Sequence, residues 1–460
     1  MIQDNITFDL PVNFGMPFES SQDIYGDENV ETFPVEVNGV TYDVVSWGKE
    51  NQLPYKVREK IGANGVMAQN KYFNMLTSYG RGLEYIDVAT INGKKPLPTR
   101  DADIRKFLLR NSMKEFFAEQ IVDMKYYFFA VSVVILDRQR KNIVKIVHKE
   151  ACHCRFEKAD ENGHIKHVFF ADWENSNAPK HIEAIAMLDE KDPFGDLAAR
   201  TGKEPDQLGI FKPDFPKLTK YAIVCKIPTV GSKYYPIPPS AASFKDGWYD
   251  IYGLLTQAKK AKIKNGQNIR YHVEISTEFW EDRARKKGIT FGTQEYYQMQ
   301  DDYIKEFKAY LGGSKNSDKM LWSEFKSMLD GKEQHYIKVN VIDTSKAGSE
   351  YNDDVAEASN VLCYGDNVHP NLAGAVPGKS QMNNSGSDKR ELFTMKQALE
   401  TLTHDMMMKV HNTIIWFNGW EDKVEPLVPM ILLTTLDKKT DAVESNTNNQ
   451  TGEGNNGNQD

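Results

Sequence analysis

A chain of 460 residues, 40% hydrophobic and 27% charged, has the composition of a soluble globular protein and room for about two or three domains. Its net charge of −8 excludes a protein that coats nucleic acid by bulk positive charge, but suits one that lets a polyanion slide past. Four cysteines make no disulfide scaffold, the start MIQDNITFDL is not a secretory signal, and the longest apolar run (128–136) is too short for a bilayer, so a protein folded in a reducing cytoplasm is expected.

Residues 1–40 are mixed and Pro-punctuated, expected as extended pieces. In 35–45 (VEVNGVTYDVV) alternating apolar residues flank Asn38-Gly39, which predicts a hairpin. Pro54 suits a first helical turn, and helix is expected on to about Tyr79, interrupted at Asn64-Gly65 and stopped by Gly80-Arg81-Gly82. Leu83-Glu84-Tyr85 starts a strand. Residues 101–127 predict two helices, the first on Ile104, Leu108 and Leu109, the second on Phe116, Phe117, Ile121 and Met124. The β-rich run 130–136 fits a fully buried strand with 143–147 beside it, and 164–170 is expected to continue that sheet. Residues 189–217, rich in Pro, Asp and Gly, read as an exposed insertion, and 221–227 returns to strand. The first half is therefore α+β.

Residues 240–265 predict a long helix on Phe244, Trp248, Ile251, Leu255 and Ala258, basic at its far end and closed by Asn265-Gly266. A strand at Tyr271, Val273 and Ile275 and a charged segment (278–287) follow. Thr293 then caps a second helix on Tyr296, Met299, Tyr303, Phe307 and Leu311, closed by Gly312-Gly313. Two long helices thus bracket a small module. Residues 336–342 read as a strand, and Asn352 caps a short helix on Val355, Ala358 and Leu362. A Gly/Pro/Asn/Ser loop leads to Ser385 or Ser387, which caps one long helix on Leu392, Met395, Leu399, Leu402, Met406, Val410, Ile414 and Phe417, ended by Asn418-Gly419. From 436 onward almost nothing is apolar, and a disordered tail is expected.

Within the loop, AGAVPGKS (373–380) fits the loosest phosphate-binding pattern, with Gly378, Lys379 and Ser380 as cradle, phosphate contact and Mg²⁺ ligand. The leading glycine is Ala373, and a helix rather than a buried strand precedes it, which favours a plain loop. His148, Cys152, His153 and Cys154 (in HKEACHC) carry zinc-type donors, but no second cysteine pair is evident beyond isolated Cys225 and Cys363, which favours residues of a buried strand. No catalytic signature stands out, and neither cofactor nor metal is expected. Lys259, Lys260, Lys262 and Lys264, with Arg270 nearby, are the best nucleic-acid candidates; they read either as a solvated helix end or as groups that touch phosphates transiently.

The order of these features resembles the portal proteins of tailed bacteriophages. Trp47-Gly48 with Asn51-Gln52-Leu53-Pro54, followed by helices and Gly80-Arg81-Gly82-Leu83, looks like that family's wing. The unit 240–313 looks like stem, clip and stem, and 307–319 (FKAYLGGSKNSDK) is similar to the turn after the second stem helix. Most specific is NVHPNLAG (367–374), similar to a Val-x-Pro-x-Leu-x-Gly turn, with Asn367 where the family often has glycine; the 189–217 insertion has no evident counterpart. The resemblance covers about 40–420.

It implies an α+β wing (1–239), first stem helix (240–267), clip (268–292), second stem helix (293–313), a return wing strand, short helix and tunnel-type loop (314–386), a long helix and crown (387–435), and the tail (436–460). It further implies a homo-oligomeric ring, usually of twelve subunits, in the virion at the capsid portal vertex, made in the host cytoplasm and without enzyme activity. Implied partners are the large terminase, the head–tail adaptor, the major capsid and scaffold proteins, and double-stranded DNA bound without sequence specificity, with no membrane. Channel candidates are Lys259, Lys260, Lys262, Lys264, Lys379, Lys389 and Arg390, and Val368, Pro370, Leu372, Gly374 and Pro377 would shape the loop. Alternatives are a P-loop NTPase using Gly378, Lys379 and Ser380, and a soluble adaptor or scaffold that shares the helix order.

Overall fold

The structure, a computed structural model, describes residues 30–91, 96–161, 163–266, 271–312, 325–327, 333–341, 351–373, 386–431 and 433. Expectations for 1–29, Arg270, the 314–319 turn, Gly374, Pro377, Gly378, Lys379, Ser380 and the tail lie outside the described residues. The chain is α+β and divides into two units, Met1–Gly253 with Ala356–Asp460, and Leu254–Val355.

Asn38 and Gly39 both take positive φ (54° and 79°) and close the hairpin of β1 (Thr32–Val37) and β2 (Val40–Val45). α1 (Leu53–Ala63) carries Pro54 in its first turn. α2 (Gly65–Tyr79) restarts at once because Asn64 Oδ1 accepts from the Val66 and Met67 N–H groups, each at 3.1 Å. β3 (Glu84–Asp87) follows. α3 (Ala102–Arg110) buries Ile104 and Phe107, whereas Leu109 is 81% exposed. The expected inward role of Leu109 fails because five positions past Ile104 lie about 140° around the helix.

α4 (Met113–Tyr127) buries Phe116, Phe117, Ile121 and Met124 as expected. Then come β4 (Phe129–Leu136), β5 (Ile143–Lys149), β6 (Cys154–Phe156), β7 (His167–Phe170), β8 (Glu183–Ala186), α5 (Pro193–Thr201) and β9 (Lys220–Lys226). β4 lies between β5 and β9, antiparallel to both. Ala130, Val134 and Leu136 face a core shared with α4, while Phe129, Val131 and Val133 face Trp47, Phe156, Phe169 and Trp173. Apolar packing on both faces is why this strand reads as an unbroken apolar run.

Residues 164–170 do not extend that sheet: β6, β7 and β8 form a separate antiparallel one. Strand character is local, whereas the choice of partner strand is made by packing. Nor is 189–217 wholly an exposed insertion. Asp192 Oδ1 accepts from Gly195 N–H at 2.9 Å, capping α5, and Leu197, Ala198 and Ala199 are buried; only the part after α5 is mostly exposed.

The helix expected at 240–265 starts later. Pro239–Phe244 is a 3-10 turn, and Gly247 at φ 86° precedes α6 (Trp248–Gly266). Phe244 therefore leaves the stripe and packs with Ile61, Met67 and Leu362, while Ile251 is exposed.

In the second unit, β10 (Tyr271–Ile275) runs through the Ser276 cap into α7 (Thr277–Lys287), a helix where the sequence shows mainly charge. Trp280 and Ala284 of α7 pack against Tyr296 and Met299 of α8 (Gln294–Gly312), whose cap is Thr293. β11 (Phe325–Ser327) pairs with β12 (Glu333–His335), and β13 (Ile337–Val341) pairs antiparallel with β10, Tyr271 opposite Val341. The strand expected to return to the wing thus joins the small module, since its backbone finds its partner there.

α9 (Asn352–Gly365) buries Val355, Ala358 and Leu362. The one long helix expected next is two, α10 (Gly386–Leu399) and α11 (Thr401–Phe417), broken at Glu400. Met395, Leu399 and Leu402 are exposed, and Lys396, Glu400 and Thr403 are buried in their place. The inward line is displaced by one residue, about 100° of rotation, because the interior there is polar. Val410, Ile414 and Phe417 are buried as expected. β14 (Val424–Leu427), a strand the sequence reading missed, pairs antiparallel with β3.

Candidate functional site

The loop after α9 begins in a Schellman closure. The Val368 N–H donates to Cys363 O and the Asn367 N–H to Tyr364 O, both at 2.9 Å, with Asn367 at φ 55°. Glycine is the usual residue at this left-handed position, and asparagine is the next best because its short polar side chain tolerates it. That explains Asn367 where a glycine was expected. Val368 is buried, Pro370 opens the short helix Pro370–Ala373, and the Leu372 N–H donates to His369 O at 2.9 Å. Val368, Pro370 and Leu372 therefore share one closed turn; Gly374 and Pro377 lie outside the described residues.

A buried ion-pair network holds this turn, and no sequence motif marks it. Lys71 Nζ on α2 lies 2.8 Å from Asp366 Oδ1 and donates to Ser240 Oγ at 2.8 Å and Lys125 O at 3.1 Å. Among the described residues the Asp366 carboxylate accepts no well-angled hydrogen bond, so the Lys71 ammonium is what offsets its charge. Asn74 Nδ2 donates to Asp366 O at 2.8 Å, and Asn70 Nδ2 donates to Leu362 O at 3.3 Å. Lys396 Nζ donates to Asn367 O at 3.1 Å and pairs with Glu400 at 3.2 Å, which also pairs with Lys125.

Burial works against the Glu400 charge, yet Lys125 and Lys396 together hold its carboxyl below the usual range. Burial also pulls the Lys125 ammonium down, while its pairing with Glu400 acts in the opposite direction. Desolvating such charges costs several kcal/mol per ion, and pairing offsets it only when geometry is good. The gain lies in position: the carbonyls of 362, 366 and 367 are each pinned, which sets the chain's path into the loop. The signal in the sequence was Lys396 and Glu400 at i, i+4, each next to an apolar residue of the expected stripe (Met395 and Leu399), with Asp366 just before the loop.

The basic cluster does not act as one set. Lys259 Nζ donates to Asn352 Oδ1 at 2.7 Å, and Lys262 Nζ sits 5.6 Å from the Tyr351 ring centroid, whereas Lys260 and Lys264 are exposed. Lys389 and Arg390 lie in the first turns of α10, half-buried; Lys379 lies outside the described residues.

His148, Cys152, His153 and Cys154 do not gather at one point. His148 Nε2 lies 2.9 Å from Asp123, and the Cys154 thiol donates to Glu150 O at 3.2 Å. Cys152 stands in the 3-10 turn Ala151–His153 and not on the β6 face with Cys154. Ser243, Asp246 and His369 line an open groove beside the loop root, and none is hydrogen-bonded to another among the described residues. They form no proton relay.

Neither a protein-family profile nor a curated protein sequence matches this chain. Its fold is similar to that of a chain in the virion of a native gene transfer agent particle, with TM-score 0.50 and 12% identity over 81% of this chain and 82% of that one. It is likewise similar to a chain in the neck of an empty particle of this kind, computed with C6 symmetry, with TM-score 0.51 and 13% identity over 81% and 83%. At such identity the likeness is one of fold.

Proposed function

We propose that this chain, which shares its fold with a component of gene transfer agent particles, is a portal protein: a non-enzymatic ring at a capsid vertex through which double-stranded DNA enters and leaves. The observation that carries this reading is the fold likeness across 81% of the chain to a protein of a particle neck. In this reading the second unit is stem and clip, docking the large terminase and later the head–tail adaptor. The first unit is the wing, facing major capsid and scaffold proteins.

The ring has twelve subunits in this proposal, a number compatible with a neck computed with C6 symmetry. Ile251, Leu254 and Ile263 on α6, and Met395, Leu399 and Leu402 on α10 and α11, are exposed apolar side chains. Such surfaces suit a chain whose copies pack side by side in a closed, heterologous ring. Electron microscopy of the full chain, made alone and with its capsid and scaffold proteins, tests the reading. Closed rings with a channel wide enough for duplex DNA are expected, and monomers in both preparations overturn it. The nucleotide-site alternative lacks its buried strand, since α9 and Pro370–Ala373 stand ahead of Lys379.

A further inference from the structure

We propose that Glu150, Cys152 and His153 bind a divalent transition metal of the zinc class, in a tetrahedral site completed by one water. The turn Ala151–His153 brings one donor atom of each residue to within 4.8 Å of the others. Glu150 Oε2 lies 3.6 Å from His153 Nε2 and 3.7 Å from Cys152 Sγ. A tetrahedron with metal–ligand bonds of about 2.0 to 2.3 Å has edges of roughly 3.3 to 3.8 Å. Both edges are therefore within a few tenths of an ångström of their bound length.

The turn is held from outside. The Ala151 N–H donates to Asp123 Oδ2 at 2.7 Å and the His153 N–H to Glu150 O at 3.1 Å. Tyr55 Oη stands 3.1 Å from His153 Nδ1, and Tyr55 itself accepts from the Trp173 N–H at 3.2 Å. The Trp173 indole N–H donates to His153 O at 3.0 Å. One ring nitrogen is thus occupied by an outer partner while the other faces Glu150, the arrangement that orients metal-binding histidines. Bound to metal, His153 donates its Nδ1–H to Tyr55 Oη and presents the Nε2 lone pair.

The surrounding charge favours a cation. Burial raises the Cys152 thiol first, and the negative charges of Asp123 and of Glu150, whose Oε2 lies 3.7 Å from the sulfur, add to that. A dication reverses that balance. On binding, the Cys152 S–H bond breaks, its proton passes to solvent, a metal–sulfur bond forms, and waters leave the ion without any change in its oxidation state. Access is open: the Glu150 side chain is 68% exposed and that of His153 35%. Thiolate with imidazole selects zinc-class ions over Mg²⁺ or Ca²⁺. The paired-cysteine pattern of closed structural sites is absent because this site is of the other kind, with three protein ligands and an open position.

Titration of the full-length, chelator-stripped protein with Co²⁺ tests this. One equivalent is expected to bind, with a thiolate-to-cobalt charge-transfer band and tetrahedral d–d bands that Zn²⁺ displaces. Cys152→Ser is expected to abolish the charge-transfer band and Cys154→Ser to keep it. Glu150→Gln, at an exposed position that does not endanger folding, is expected to weaken binding about tenfold or more, and Tyr55→Phe about 10- to 100-fold. No charge-transfer band in the unaltered protein, a band that survives Cys152→Ser, or undiminished affinity in Glu150→Gln overturns the proposal.

Discussion

Asn367 occupies a backbone conformation that costs most L-residues about 1 to 2 kcal/mol. Its φ of 55° closes α9, so substitution there reads the strain directly. Asn367→Gly is expected to stay within about 0.5 kcal/mol of the parent, since relief of strain and the added freedom of the unfolded chain oppose each other. Asn367→Val is expected to lose about 1 to 2 kcal/mol. Denaturant unfolding measures both, and an unaffected Val variant would show that the closure is not needed.

His411 carries a second residue-scale prediction. Tyr85 O–H donates to its Nδ1 at 2.8 Å and its Nε2–H donates to Gln120 Oε1 at 3.3 Å, which fixes a neutral ring in a sealed core. Burial pulls its pKa from 6.5 to about 3. A histidine depressed in the folded state gives stability that is whole above the unfolded value and is lost as pH falls toward the folded one. Burial shifts His404 in the same direction. Stability is therefore expected to fall from about pH 6.5 downward, with His411 contributing roughly 1.4 kcal/mol per pH unit. His411→Gln, which keeps an acceptor for Tyr85 and a donor for Gln120, is expected to flatten that slope; an unchanged slope between pH 6 and 4 would assign the acid sensitivity elsewhere.

At the scale of elements, the pairing of α2 with the end of α9 is the decisive contact. Lys71 and Asp366 are 295 positions apart in numbering yet form a buried ion pair at 2.8 Å. Removing one partner strands a buried charge, so Lys71→Met is expected to cost about 3 to 5 kcal/mol. Adding Asp366→Leu to it is expected to restore a good part, because no charge is then left unpaired. Losses that simply add in the double variant would mean that the two groups do not act on each other.

Helix caps and stops were legible at this scale: Asn64, Thr293 and Asn418-Gly419 end or start helices where their side chains and backbone freedom predict. The inward face of α10 was not, because Lys396 and Glu400 are buried where apolar Met395 and Leu399 are exposed. Periodicity locates an interior only when that interior is apolar.

At the scale of the molecule, the proposed channel role narrows to particular lysines. Lys259 and Lys262 are engaged with Asn352 and the Tyr351 ring, while Lys260 and Lys264 are exposed. Neutralising Lys260 and Lys264 to Gln is expected to leave folding unchanged, within about 0.5 kcal/mol, and to alter DNA packaging or retention in assembled particles. Lys259→Gln is expected to act mainly on the stability of the second unit. Normal packaging by the Lys260/Lys264 double variant would remove these groups from the channel.

The chain's residues by themselves determined the α+β class, the hairpin at Asn38-Gly39, the buried strand expected at 130–136, two helices around a small module, and the order of features that pointed to a portal-like fold. Each is written in short-range terms: turn residues, caps, and apolar spacing within one element. Only the tertiary structure decided that β13 pairs with β10, that β14 returns to β3, that the last long helix breaks at Glu400, and that Lys71, Asp366, Lys396 and Glu400 root the loop. Strand partners and buried ion pairs join residues far apart in the chain, where a backbone group or a charge must find its complement in space, and no local pattern records which complement it finds.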